Sequence, residues 1–251
     1  MPKPWSLLWL LAVPAIGLAQ EAALVTDRPD FTESASVPGH GRVQVEAGWT
    51  VERGGDAHEH SVGEVLVRIG LGERFEARIE PGSWVSSDDG EKETSGFDDA
   101  GLGFKVIVLD AAPPTIPAAA LLVSSSVPTG NHAIGESGWQ PETRLALAWD
   151  LSDLWSLGAN AGWGRPQHEG ERFDQAVGSV ALGRSLGSRL GAFAEIYGFA
   201  PVAPRGDDAA HADGGLTLAL GPGAQLDVRA GVGLTDAAAD WLFGLGFARR
   251  W

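Results

Sequence analysis

The last dozen residues of the chain alternate. Trp241, Phe243, Leu245, Phe247 and Trp251 fall on one parity, and Asp240, Gly244, Gly246 and Arg250 on the other. A period of two gives a strand with two unlike faces, whereas a helix would spread those aromatics around its circumference. Gly244 and Gly246, in mid-segment, weaken a helix further. Large apolar residues on one face, with glycine and charge on the other, fit a barrel stave whose apolar face meets lipid.

The alternation recurs along the chain. Val43, Val45, Ala47, Trp49 and Val51 alternate with Arg42, Gln44, Glu46, Gly48 and Glu52. Val65, Val67, Ile69 and Leu71 alternate with Glu64, Arg68, Gly70 and Gly72, and Phe75, Ala77 and Ile79 with Glu76, Arg78 and Glu80. Further strands are expected near 97–109, 116–127, 142–152, 154–165, 173–186, 189–200, 211–221, 224–234 and 239–251, making twelve. The fifth, 116–127, is almost all small or apolar, and 173–186 and 189–200 show no clean parity. Short links near Gly72, 110–117, 152–153, 187–188 and 222–223 alternate with longer ones at 53–60, 86–96, 128–140, 165–172, 201–210 and 235–238. Strands of about ten residues, an even count, and tight turns at one end with polar loops at the other predict an all-β, transmembrane, antiparallel up-and-down barrel of about twelve strands. A soluble two-sheet sandwich does not account for that alternation of links, and the repeat of a propeller is missing.

Lys3 followed by an apolar run from Trp5 to Leu18, with Gly17, Leu18 and Ala19 before Gln20, reads as a secretory signal peptide over 1–19. Residues 20–41 have no alternation and make an N-terminal arm, and 42–251 make the barrel, expected in the outer membrane of a Gram-negative bacterium. Cleavage removes Lys3, which takes the formal charge of −15 to −16. A chain so acidic lacks the basic face of a nucleic-acid binder. The absence of cysteine suits a large closed barrel better than a small stapled domain.

The segment TDRPDFTES, residues 26–34, followed by Val37, Pro38 and Gly39 and then by Gln44, Glu46 and Gly48, resembles the opening of an outer-membrane β-barrel family of transporters associated with the phenol meta-degradation pathway. The resemblance implies a porin-like channel for small molecules, of hydrophobic or aromatic type. Composition and spacing by themselves show only a barrel.

The inward parity presents Arg42, Gln44, Glu46, Glu64, Arg68, Glu76, Arg78, Glu80, Lys105, Glu142, Arg144, Asn160, Glu195, Asp227 and Arg229. Two readings of these charges stay open. One is a constriction that sorts solutes; the other is a structural set of ion pairs placed inside because charges cannot face lipid. In the arm, Asp27, Arg28, Asp30 and Glu33 surround Pro29 and Phe31. The arm is expected to tuck into the polar lumen, with Arg28 pairing a luminal carboxylate such as Glu46 or Glu76 and Asp27 or Asp30 facing a luminal Arg such as Arg68 or Arg78; a mobile tail is the alternative.

All six histidines, 40, 58, 60, 132, 168 and 211, read as arm or loop residues, and the acidic rim near His58 and His60 reads as solvated surface. No metal, cofactor or catalytic site is assigned. The alternatives to a channel are a lipid-modifying enzyme and a structural barrel, but the enzyme needs a strand-held histidine beside its nucleophile, and no glycine-flanked serine elbow is present. The expected partners are outer-membrane lipids, a small solute, and the barrel-assembly machinery through the C-terminal strand ending at Trp251.

Overall fold

The computed structural model describes residues 24–251. The expected signal peptide at 1–19 lies outside the described residues. The elements are β1 (Val43–Gly54), β2 (Ala57–Gly70), β3 (Phe75–Glu80), β4 (Trp84–Asp88), β5 (Glu93–Phe97), β6 (Ala100–Leu109), β7 (Ala118–Val127), β8 (Gln140–Asp150), β9 (Trp155–Gly164), β10 (Gln167–His168), β11 (Glu171–Arg172), β12 (Gln175–Ser185), β13 (Leu190–Ala200), β14 (Ala209–Gly221), β15 (Ala224–Gly233) and β16 (Trp241–Arg250). Each pairs antiparallel with its neighbour, and β1 pairs with both β2 and β16, so the sheet closes on itself. β10 and β11 form a small hairpin outside it.

The barrel has twelve staves because β3 with β4, and β5 with β6, are each one stave interrupted. β3 pairs with Val67–Gly70 and β4 with His58–Val62 of the same strand, which leaves residues 63–66 of β2 without a ladder partner on that side. Pro81, which has no N–H to give to a ladder, sits at the break. Beside it Gly82 has φ +87°, and a Cβ there would lie 2.5 Å from the carbonyl oxygen of Asp98, in the break of the next stave. Only glycine fits that backbone and that approach.

Two expected loops are strand instead. Residues 53–60 continue β1 and β2 through a turn at Gly55 and Asp56, because Arg53, His58, Glu59 and His60 hold the ladder register despite their polarity. Residues 86–96 are the β4–β5 hairpin, whose turn is held by Asp89 Oδ1 accepting from the amides of Glu91 (3.0 Å) and Lys92 (2.8 Å). His58 and His60 are therefore strand residues, and so are His168, on β10, and His211, on β14.

Parity separates the faces. On β16 the aromatics Trp241 and Phe247 are exposed on the outer wall, while Leu242, Ala248 and Arg250 are buried inside. On β1, Gln44, Glu46 and Thr50 are buried. Trp149, Trp155 and Trp251 lie at the tight-turn end, and Trp84, Trp139, Trp163 and Trp241 toward the long loops, giving a row near each rim as an interfacial girdle requires. The buried apolar cluster is small, Ala35, Ala120, Leu122 and Ala146, and Ala35 belongs to the arm.

Candidate functional site

Residues 24–42 form no strand, and the stretch 26–38 runs through the interior of the barrel, held at three places. The first is Asp27. Its Oδ2 lies 2.6 Å from Arg78 Nη1, 2.8 Å from Lys105 Nζ and 3.2 Å from Arg68 Nη1. These cations, on β3, β6 and β2, are also shared with wall carboxylates: Arg68 Nη2 is 2.9 Å from Glu76 Oε2, Arg68 Nη1 is 3.2 Å from Glu46 Oε1, and Arg78 Nη1 is 3.0 Å from Glu76 Oε1. Glu33 of the arm closes the set at 2.9 Å from Arg78 Nη2 and 3.4 Å from Lys105 Nζ. Burial raises the Asp27 pKa, but Arg68, Lys105 and Arg78 outweigh it and hold the carboxyl well below the usual range. Glu46 Oε2 also accepts from the amides of Asp27 and Arg28, both at 3.0 Å, so one wall carboxylate fixes arm backbone and Arg68 together.

The second place is the opposite wall. Glu195 on β13 accepts from the amides of Phe31 (2.6 Å) and Thr32 (2.7 Å) and from the Thr32 hydroxyl, which also bonds Ser179 at 2.8 Å. Asn160 on β9 binds both main-chain groups of Glu33, at 2.7 and 3.1 Å. The Phe31 ring stacks on Tyr197 at 4.6 Å, meets Phe199 edge-on at 5.2 Å, and lies 4.7 Å from the Arg144 guanidinium.

The third is Arg28, at the closing seam. Its Nη1 lies 2.7 Å from Glu64 Oε2 on β2, Nε is 3.9 Å from Asp227 on β15, and Nη2 donates to the Leu245 carbonyl on β16 at 3.3 Å. The paired glycines Gly48 and Gly246 make the notch for it: a Cβ at either would lie 2.2 or 2.6 Å from Arg28 atoms.

The structure thus gathers Glu46, Arg68, Glu76 and Arg78 around Asp27, and Glu64 and Asp227 around Arg28. Arg144 pairs Glu142 at 2.6 Å and faces Phe31, while Arg229 lies 3.9 Å from Asp213, away from the Asp27 set. Glu80 is exposed and borders a cavity of about 190 Å³ with Glu33, Arg78, Glu142 and Arg144. Arg28 pairs a luminal carboxylate, and the one its side chain takes is Glu64, not Glu46 or Glu76. Glu46 is already engaged by Arg68, Gln44 and two amides, and the glycine notch lies on the other side. Of Asp27 and Asp30, it is Asp27 that meets Arg68 and Arg78; burial, then the charges of Glu195 and Asp213, push the Asp30 carboxyl pKa up.

Ser179, Tyr197, Phe199, His211 and Asp213 are luminal residues outside the inward set expected from parity. Glu195 was the available signal, since Tyr197 and Phe199 share its parity and His211 and Asp213 lie opposite Tyr197 and Glu195 in the ladder. His211 was read as a loop residue; it stacks on Tyr197 at 4.8 Å inside the barrel. Cavities of about 450 and 380 Å³ border the arm at the tight-turn end, and one of about 250 Å³ lies on its other side, lined by Glu64, Gly82 and Asp99. Among the described residues, no cluster of three or more His, Asp or Glu could hold a metal ion.

A model of the family described as "Putative MetA-pathway of phenol degradation" matches residues 26–251. Among solved structures, the chain is similar to an outer membrane channel from Pseudomonas putida F1, at 15% identity and TM-score 0.65 over 90% of this chain and 100% of that one. It is also similar to the NanC porin (10%, TM-score 0.55, 82% and 98% covered) and the KdgM porin (8%, TM-score 0.56, 82% and 98% covered). At these identities the likeness establishes the shared barrel fold. No curated protein matches the sequence.

Proposed function

The chain belongs to this phenol-degradation family of outer-membrane barrels of Gram-negative bacteria, and from that premise we propose that it is a channel for small molecules whose lumen is closed by its own arm. The observation that carries the reading is Asp27: one arm carboxylate lies within 3.2 Å of three buried wall cations, so the arm completes the charge balance of the lumen. A charged lumen in a narrow barrel sorts solutes, and a segment that competes for the same charges gates it. The pore-lining set is Glu46, Glu64, Arg68, Glu76, Arg78, Glu80, Arg144, Asp227 and Arg229. The solute class, small hydrophobic or aromatic compounds, is supported by the family's association with phenol degradation. Against a lipid-modifying enzyme, His211 packs against Tyr197 in the lumen and not on the lipid face, while of the strand-held histidines of β2 His60 stacks on Trp49 and His58 faces Asp88.

The test is conductance in planar bilayers with and without residues 20–38. Removal of the arm should raise single-channel conductance and change charge selectivity. Unchanged conductance, with protease trimming the arm of the intact barrel freely, would make the arm a tail and refute the gate.

A further inference from the structure

The polar lumen contains one aromatic recess, and the arm fills it. Phe31 lies nearly parallel to Tyr197, with ring centroids 4.6 Å apart and planes 16° apart, and Phe199 presents its edge at 5.2 Å. Tyr197 is backed in turn by His211, stacked at 4.8 Å, which fixes the ring that Phe31 rests on. Beside the recess, Glu195 accepts the Phe31 amide at 2.6 Å. Asp213 lies directly opposite Glu195 in the ladder with its side chain fully buried, and neither of its carboxylate oxygens has a hydrogen-bond partner. Its nearest cation, Arg229, stands off at 3.9 Å. A backbone amide therefore fills the place on Glu195, beside the ladder partner Asp213, that a full positive charge would fill better.

We propose that this recess is a ligand site that the arm occupies in cis, and that its free occupant is a small arylalkylamine: an aromatic ring joined through two carbons to a protonated amine. The ring, Cβ, Cα and nitrogen of Phe31 trace that skeleton. The ring stacks on Tyr197 and the ammonium donates to Glu195 and neutralises Asp213. Once the arm has left and taken its Thr32 donors with it, an arene without a donor leaves Glu195 unpaired, which costs more than the bond it replaces. An aliphatic amine forfeits the stacking. Arg144 does not compete for the two acids, because it pairs Glu142 at 2.6 Å and presents its guanidinium to the ring. The raised carboxyl of Asp30, caused by burial and by Glu195 and Asp213, agrees with a negative local field.

The proposal rests on the channel reading only in that a solute must reach the lumen, and the two are tested separately. Purified barrels in detergent, checked for folding by heat-modifiable migration, are titrated calorimetrically with 2-phenylethylamine, 2-cyclohexylethylamine and 2-phenylethanol. The chain without residues 20–38, which vacates the ring and the amide together, should bind 2-phenylethylamine saturably and more tightly than the native chain, with Phe31→Ala, which keeps the amide on Glu195, between them. The cyclohexyl amine and 2-phenylethanol should each bind roughly tenfold more weakly, and Glu195→Gln in the arm-deleted background should cost roughly tenfold or more. Equal titrations of the native and arm-deleted chains, or binding indifferent to Glu195→Gln, would overturn the site. Saturable binding with conductance unmoved by arm removal upholds the site while the channel reading fails. Absent binding with raised conductance does the reverse.

Discussion

At the scale of single residues, the lumen is organised by Asp27. Breaking a buried ion pair by removing one partner costs roughly 3 to 5 kcal/mol when the other charge stays dry. Asp27→Asn avoids most of that cost by letting the arm leave, because water then reaches Arg68, Arg78 and Lys105, which keep Glu46 and Glu76. The expected outcome is a folded barrel whose conductance approaches that of the arm-deleted chain; conductance equal to the native value would show that Asp27 does not hold the arm. Gly246 offers a second test. A valine there meets the Asp227 carboxylate and Arg28 Nε, both on side chains that can turn aside, so the barrel should assemble while the Arg28–Asp227 contact and the arm loosen at the seam. Protease sensitivity of the arm in Gly246→Val, compared with Gly221→Val, where a Cβ meets nothing within 4 Å, reads this directly.

At the scale of elements, a stave tolerates charge on one face only. Val228→Arg puts a guanidinium on the outer wall near mid-stave at a cost of roughly 2 to 4 kcal/mol, whereas Asp227→Asn changes a buried luminal group on the opposite parity. The first should leave much unassembled protein by heat-modifiable migration and the second little; matching behaviour would contradict the assignment of faces. The parity that supports this was legible in β1, β2, β3, β8, β15 and β16, where one face meets lipid and the other meets charge. It failed on β7, β12 and β13 for one physical reason. The lumen faces of these staves meet the arm, not water: Ala120 and Leu122 pack with Ala35, Ser179 bonds Thr32, and Tyr197 and Phe199 hold Phe31. A face that packs on protein reads as apolar, so alternation vanishes where the arm docks. The interrupted staves were hidden differently, since Pro81 and Gly82 resemble a turn until β4 is seen to rejoin β2.

At the scale of the whole molecule, the arm spans the barrel from the β2–β3–β6 wall at Asp27 to the β9–β12–β13 wall at Phe31 and Glu33, with Arg28 at the seam between first and last staves. Much of its hold is ionic and internal, where salt screens weakly while the lumen stays closed and strongly once water enters. Raising salt should therefore lengthen open events more than it raises their frequency, a pattern that single-channel recordings separate. The seam contact also orders assembly in time. The arm precedes every stave in the chain, yet Arg28 needs Glu64 early and Asp227 and the Leu245 carbonyl at the very end. A half-made barrel thus holds its plug on one side only, so seating the arm marks the moment when the ring has shut. The segment that is delivered first is the last to be locked in place.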